Sequence, residues 1–178
     1  GYDIAHVLDF PGEFLLPNGD TWKPCSDDDS EFPHFEGIVV DQYHSSVYLA
    51  QEDVGVWKIS LKEPQNKNLW RLIRKVQSYG VPYQRTWSDL EEEFICEINY
   101  AFDPGFGDKE LTADVEGLTL YDAGNGAGYI LLSSQGSNQY VVYSRGNDVY
   151  LGSFEIEEGK LDGVSETDGM IVTAANLG

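Results

Sequence analysis

The sequence predicts an all-β fold assembled from propeller-type repeats, and three observations support this prediction. Short runs rich in β-branched and aromatic residues alternate with Gly, Asn and Asp, which is typical of strands joined by tight turns. One pattern, an acidic residue followed by Gly and three strand-forming residues, occurs three times. The hydrophobic fraction of 41% over 178 residues is typical of a folded globular domain.

The β-rich runs give the predicted strands in chain order: residues 37–40, 47–50, 55–60, 118–121, 129–133, 140–143 and 149–156. The Gly-rich loop at 122–128 suits a hairpin connection, because its residues tolerate positive φ and a strand follows it rather than a helix. Residues 68–78 are the one stretch with helix-compatible spacing. Residues 62–110 are predicted to be an insertion or an extended outer edge within a single segment, 1–178.

The three copies of the repeat lie at residues 35–40, 115–120 and 167–172. The first two continue in the same way, with a strand, a turn, a strand, a polar residue and a further strand. A unit of this kind cannot bury both faces alone, so copies stacked around an axis are expected. The innermost strands would then bring Glu36, Glu116 and Asp168 to one level around the channel.

The composition is strongly acidic, with 31 Asp and Glu against 11 Lys and Arg and a formal charge of −20. Such a chain repels nucleic acid and anionic membranes and attracts metal cations. The sequence shows neither a signal peptide nor a transmembrane run. It begins with Gly1, which suggests processing or a longer parent chain. Cys25 and Cys96 allow one disulfide or two buried thiols, and the sequence leaves both open.

The acidic positions of the repeats predict a metal site. Asp114 and Glu116 lie two residues apart at the start of a strand, so the pleat places both carboxylates on one face. Glu52 and Gln135 occupy matching places after the central strands of their repeats. Together with Glu36, these residues offer only oxygen ligands, which calcium prefers. Their mutual repulsion would be relieved by bound divalent cations.

Several segments resemble the signature segments of the beta-propeller phytases, and they correspond to roughly the middle to late blades of that family. The similarity covers about residues 33–60 and 111–178, and it is carried by residues 111–121, 128–138 and 162–169, with 36–37, 50–53 and 57–58 in the preceding repeat. The resemblance implies a six-bladed propeller that holds several calcium ions at one end. These ions would neutralise phosphate and lower the pKa of a water in the hydrolysis of inositol phosphates.

The resemblance also assigns roles to residues of this chain. Glu52 would be the bridging carboxylate that matters most to the attacking water, and it would act in catalysis with Asp114 and Glu116. The expected calcium ligands are Glu36, Glu52, Asp114, Glu116, Gln135, Asp162 and Asp168. A secreted protein is expected, and its remaining blades would come from the same longer chain or from another chain.

The departures from the family pattern leave an alternative function open. No segment matches the earlier blades whose Lys, Arg and Tyr side chains hold the substrate phosphates, so the segment alone is predicted to be inactive. The alternative is a noncatalytic, calcium-stabilised propeller that acts as an extracellular scaffold or assembly module. A glycan-binding propeller rests only on the aromatic content. His6, His34 and His44 share no spacing, so a solvent or turn role is expected for each.

Overall fold

The computed structural model describes residues 3–26, 33–90, 92–160 and 162–175, and these form an all-β molecule, as the sequence predicts. The described residues contain three short 3-10 turns and no α-helix, and none of their segments is a long apolar helix able to cross a membrane. The strands are β1 (Phe14–Leu15), β2 (Thr21–Trp22), β3 (Phe35–Asp41), β4 (Ser46–Gln51), β5 (Gly55–Ser60), β6 (Arg71–Lys75), β7 (Tyr83–Ser88), β8 (Glu93–Ile98), β9 (Val115–Gly124), β10 (Ala127–Ser134), β11 (Gln139–Ser144) and β12 (Tyr150–Phe154).

The first four-stranded sheet, blade A, has the order β3-β4-β5-β6, and every neighbouring pair is antiparallel. Its outer strand corrects the predicted helix at 68–78. The structure has a 3-10 turn at Lys67–Leu69 and then β6, in which Leu72 pairs with Trp57 of β5. The mixed spacing of apolar residues was compatible with a helix. The segment forms a strand instead, because pairing with the free edge of β5 satisfies its backbone N–H and C=O groups.

The second four-stranded sheet, blade B, has the order β9-β10-β11-β12 and is also fully antiparallel. The Gly-rich loop forms the β9–β10 hairpin, where Asn125 and Gly126 have φ values of 53° and 79°. Positive φ at two successive residues is what a tight hairpin turn requires, so the prediction for this loop is confirmed. Each blade thus repeats the strand order that the sequence pattern predicts.

The glycines of the repeated pattern mark where the inner strands approach each other. A Cβ added to Gly37 of β3 would clash with the carbonyl oxygen of Glu116 in β9. A Cβ added to Gly117 would lie 2.9 Å from the Cα of Gly169 in the third copy of the repeat, residues 167–172. The repeats therefore stack with their acidic-Gly dipeptides side by side. This stacking is that of successive propeller blades.

The third copy has no assigned strand among the described residues, but it is anchored to blade B. The hydroxyl of Ser133 donates to the carbonyl of Thr167 at 2.7 Å, and the hydroxyls of Tyr140 and Thr167 are also 2.7 Å apart. The N–H of Val172 donates to the Thr119 hydroxyl at 3.3 Å. Blade B is therefore covered by blade A on one face and by the third copy on the other.

The main core lies between the blades and continues beneath the N-terminal segment. Tyr48 and Val56 of blade A pack in one apolar cluster with Leu132 and Val141 of blade B, and all four are almost fully buried. Phe14, Trp22 and Tyr79 extend this cluster, with Trp22 and Tyr79 ring centroids 4.7 Å apart. Burial of large apolar side chains on both sheets is the main force that holds the blades together.

A separate two-stranded antiparallel hairpin, β7-β8, lies between the two blades in chain order. The Cys25–Cys96 disulfide ties it to the segment after β2, which decides the alternative that the sequence left open. The Arg85 side chain strengthens the link by donating to the carbonyl of Ser26 at 2.6 Å. A cross-link over 71 residues encloses all of blade A in one covalent loop.

Candidate metal centre

The three acidic residues of the repeated pattern lie at the same end of their strands. Glu36 is near the start of β3, Glu116 is near the start of β9, and Asp168 precedes Gly169 in the third copy. The close approach of Gly37 to Glu116, and of Gly117 to Asp168 and Gly169, fixes this alignment through backbone contacts. Stacking of the repeats thus brings the three carboxyl-bearing positions together at one mouth of the stack.

Glu52 and Gln135 occupy equivalent places directly after the second strand of each blade. The backbone N–H of Glu52 donates to the carbonyl of His34 at 3.1 Å, and that of Gln135 donates to the carbonyl of Asp114 at 2.8 Å. His34 and Asp114 each lie two residues before the acidic residue of their repeat. The N–H of Val115 also donates to the Glu52 carbonyl at 3.0 Å, which joins the two loops.

The side chain of Glu52 is held by His34 as well. The backbone N–H of His34 donates to Oε2 of Glu52 at 3.1 Å, and Nδ1 of the His34 ring lies 3.9 Å from the same oxygen. A carboxylate fixed by a backbone donor keeps one orientation, so its second oxygen has a defined position. Sequence reasoning missed this role of His34. The one signal in the sequence is that His34 and Asp114 take the same position in their repeats.

The carboxylates are close enough to change one another's titration. Burial is the largest cause of a rise in the pKa of Glu116 to about 7, and the charges of four neighbouring carboxylates contribute the rest: Glu36, Glu52, Asp114 and Asp168. Burial likewise raises the pKa of Glu52, an effect that the His34 N–H opposes and the Asp114 charge reinforces. These shifts arise from desolvation and like-charge repulsion, the two causes expected when carboxylates crowd without a cation.

Gln135 connects blade B to the third copy at this mouth. Its side-chain N–H donates to Oδ1 of Asp168 at 2.8 Å, so its carbonyl oxygen is the group that remains for a ligand. Asp162 differs from the other predicted ligands. It lies in the exposed segment between β12 and the third copy, and it is not among the main contributors to the pKa of Glu52 or Glu116.

The donor set fits a hard cation such as calcium. Every candidate side chain offers oxygen, and within the described ranges no Lys or Arg forms an ion pair with Glu36, Asp114 or Glu116. The side chains are nevertheless spread more widely than one coordination sphere. No group of three or more His, Cys, Asp or Glu in the described part of the chain is drawn together tightly enough to hold an ion.

Comparison with known proteins places this chain in a family. The model of the Phytase family matches residues 98–178, a range that includes Asp114, Glu116, Gln135, Asp162 and Asp168. The chain is 37% identical over 145 residues to the 3-phytase of Bacillus subtilis (strain 168), an alignment that covers 80% of the chain. The chain belongs to the beta-propeller phytase family. It spans about 30% of the length of that phytase relative.

The match to the Phytase family model includes most of the carboxylate mouth. This name is used for the end of the stacked repeats that carries Glu36, Glu52, Asp114, Glu116, Gln135 and Asp168. The matched range begins at the end of β8 and covers all of blade B and the third copy. These are the elements that place Asp114 and Glu116 on one loop and strand, and Gln135 against Asp168. The part of the chain that carries the phytase signature is thus the part that supplies most of the crowded oxygen ligands.

Proposed function

We propose that this chain forms part of a calcium-dependent phosphomonoester hydrolase that acts on inositol phosphates, with myo-inositol hexakisphosphate as the reference substrate. The observation that carries the proposal is the group of carboxylates at one mouth. Burial, and after it their mutual repulsion, raises the pKa of Glu116 to about 7, and the chain provides no Lys or Arg partner within the described ranges. Such a group is stable at neutral pH chiefly when divalent cations compensate its charge.

The proposed ligands are oxygen atoms of six carboxylates and one amide: Glu36, Glu52, Asp114, Glu116, Gln135, Asp162 and Asp168. Calcium bound by them would neutralise the charge of a phosphate group and favour attack of water on phosphorus. The stacked repeats hold the ligand-bearing backbone in place, so little reorganisation would be needed during the reaction. We further propose that several calcium ions share these ligands.

Glu52 has the most fully built surroundings of the proposed catalytic residues, Glu52, Asp114 and Glu116. The His34 N–H fixes one carboxylate oxygen, and the backbone of Glu52 is bonded both to His34 and to Val115 at the start of blade B. A residue held by both blades is suited to bridge ligand groups from each. We therefore propose that Glu52 is the bridging carboxylate that orients the attacking water.

We also propose an extracellular location for the protein. The Cys25–Cys96 disulfide is typical of an oxidising compartment, which supports an extracellular location. The formal charge of −20 disfavours nucleic acid as a partner and suits a medium that contains free calcium. The further blades that the family implies, from the same longer chain or from another, stay a prediction.

Replacement of Glu52 tests the proposal. In the intact protein, Glu52→Gln should lower calcium-dependent phosphate release from phytate by about 100-fold, the scale for loss of one transition-state group. It should also reduce the calcium-dependent rise in stability, which is about 2.7 kcal/mol for each calcium site at 100 times Kd. Phosphate assays and thermal unfolding with calcium or a chelator measure both effects.

Glu97→Gln, a change of the same chemistry on exposed β8, is the matched control and should alter neither quantity. Release that persists in excess chelator, or is unchanged in Glu52→Gln, would refute the catalytic role. Calcium-dependent stability that is lost in Glu52→Gln, with no phosphate release by the native protein, would instead support the alternative of a noncatalytic, calcium-stabilised scaffold.

A further inference from the structure

The last residue of the second strand in each blade is polar and buried. Gln51 ends β4 with 3% of its surface exposed, and Ser134 ends β10 with 0% exposed. Each is followed directly by a proposed calcium ligand, Glu52 or Gln135. Burial of an amide or a hydroxyl is costly unless its hydrogen bonds are made, so the partners of these two side chains indicate what each position is built for.

The Gln51 amide holds the loop that precedes β3. Its side-chain N–H donates to the carbonyl of Pro33 at 3.3 Å, and its carbonyl oxygen accepts from the indole N–H of Trp57 at 2.8 Å. Because the buried indole of Trp57 is only a donor, it determines which way round the amide lies. Pro33 directly precedes His34, whose N–H donates to the Glu52 carboxylate at 3.1 Å. The Gln51 side chain thereby fixes the backbone that orients Glu52.

The Ser134 hydroxyl holds the loop that precedes β9. It donates to the carbonyl of Thr112 at 2.7 Å and accepts from the N–H of Thr112 at 3.1 Å, so one side chain bonds both backbone polar groups of that residue. The Ser137 hydroxyl lies 3.1 Å from the same oxygen and can donate to its second lone pair. The Ser134 hydroxyl is therefore fully bonded, two residues before Asp114.

Backbone contacts pass this constraint on to the ligands of blade B. The N–H of Gln135 donates to the carbonyl of Asp114 at 2.8 Å. A Cβ added to Gly136 would clash with the carbonyl oxygen of Ala113, so the loop lies directly against the chain after β10. A loop that is bonded to Ser134 and to Gln135 cannot move without breaking buried hydrogen bonds. The separation of the Asp114 and Gln135 backbones is thus fixed before any ligand binds.

We propose that Gln51 and Ser134 are positioning residues for the calcium ligands of the carboxylate mouth. Gln51 acts on Glu52 through the backbone at 33–34, and Ser134 acts on Asp114 through the backbone of Thr112. The inference rests on the proposed function and deepens it, because it assigns the spacing of the ligands to side chains that are not ligands themselves. Loss of such a supporting partner typically lowers metal affinity by about 10–100-fold.

Calcium titration calorimetry on the intact protein tests the role of Ser134. Ser134→Ala keeps every proposed ligand but removes the hydroxyl that bonds Thr112, so calcium should bind at least about tenfold more weakly. Ser46→Ala is the matched control, because Ser46 is also buried and its hydroxyl also donates to a backbone carbonyl, that of His44. Ser46 lies at the opposite end of β4 from the mouth, so its loss should change calcium affinity by less than about twofold.

Trp57→Phe tests Gln51 while leaving that side chain in place. The aromatic ring is kept, but the Gln51 amide loses the donor that orients it. Calcium should bind about fivefold more weakly, the equivalent of one neutral hydrogen bond. Trp22→Phe is the matched control, because Trp22 is 7% exposed, Trp57 is 8% exposed, and the Trp22 indole N–H also donates to a buried carbonyl, that of Val81. It should leave calcium affinity within about twofold of the native value.

The inference is overturned for each residue if its variant keeps native calcium affinity, or loses no more affinity than the matched control. A merely structural role would lower stability in variant and control alike without this difference. Absence of calcium binding by the native protein overturns the proposed function instead. Amide hydrogen exchange without calcium then tests the Ser134 contact alone, after correction for global stability. Faster exchange of the Gln135 N–H in Ser134→Ala than in Ser46→Ala supports the contact, and equal exchange refutes it.

Discussion

The two ends of the inner strands β3 and β9 carry acidic side chains in opposite electrostatic states. At the starting end, burial and the charges of Glu36 and neighbouring carboxylates raise the pKa of Glu116 to about 7. At the far end, burial also opposes ionisation of Asp41, but hydrogen bonds from Arg145 and His44 hold its pKa well below the usual range. Asp41 is 0% exposed and Glu116 is 8% exposed, so burial alone does not explain the difference.

The difference lies in whether the chain supplies a cation. Arg145 follows β11 and donates to both oxygens of Asp41, at 2.7 and 3.0 Å, and it also contacts Asp122 of β9 at 2.9 Å. This pairing links blade A to blade B at the far end. The starting end has carboxylates from both blades in a similar arrangement, without such an arginine among the described residues. A cation from solvent would compensate the carboxylate charges at the starting end, as Arg145 compensates the charge of Asp41 at the far end.

Removing Arg145 should have the largest effect on this comparison. Arg145→Ala leaves Asp41 charged and fully buried without its main partner, and loss of one member of a buried pair costs about 3–5 kcal/mol of unfolding free energy. Urea denaturation at neutral pH measures the change. The double variant Arg145→Ala with Asp41→Asn should recover part of the loss, because the unpaired buried charge is then gone.

Arg71→Ala, at an exposed position of β6, provides the matched control and should change stability by less than about 0.5 kcal/mol. A similar small change in Arg145→Ala would mean that the far end does not depend on its internal cation. The contrast between the two ends would then lose its basis.

The starting end should depend on close backbone packing, and a glycine pair tests this. Gly37→Ala places a methyl group against the Glu116 carbonyl and the Leu118 N–H, backbone atoms that cannot move aside freely, so a loss of about 1–3 kcal/mol is expected. Gly169→Ala is the control, because a Cβ there meets nothing within 4 Å, and it should cost less than about 0.5 kcal/mol. Thermal unfolding compares them, and equal losses would contradict the stacking of the repeats.

Much of the fold and of the starting end could be predicted because both are encoded in short, repeated patterns. The acidic-Gly dipeptide followed by three strand-forming residues occurs three times, and Gly is needed where one inner strand touches the next. The same alignment placed Glu52 and Gln135 after the second strand of each blade, where the structure has them. Turn residues at 122–128 predicted the β9–β10 hairpin for an equally local reason.

The rest depends on contacts between distant residues. Asp41 and Arg145 are 104 residues apart, and neither belongs to a repeated motif, so nothing local indicates their pairing. The Cys25–Cys96 disulfide also joins residues far apart in the sequence, with a separation of 71, and no local pattern indicates it. Residues 71–75 became a strand only because the edge of β5 was available, which local spacing does not report. The sequence indicated which positions lie near the carboxylate mouth. It could not indicate the raised pKa values of Glu52 and Glu116, because these depend on burial between the packed blades.

The smallest expected effect is the acid response of the far end. Because the pKa of Asp41 is lower in the folded chain than in the unfolded chain, its ionised form stabilises the fold above the unfolded value of about 3.9. This contribution is fully present at neutral pH and is lost as the pH falls below that value, by about 1.4 kcal/mol per pH unit. The stability difference between native and Asp41→Asn chains should therefore stay constant from pH 7 to about 5 and shrink below about 4.

Asp9→Asn, an exposed change outside the network, should show no such convergence in the same urea titrations. If the native and Asp41→Asn chains stay equally separated down to pH 3, the stability of the far end does not come from the ionised carboxylate.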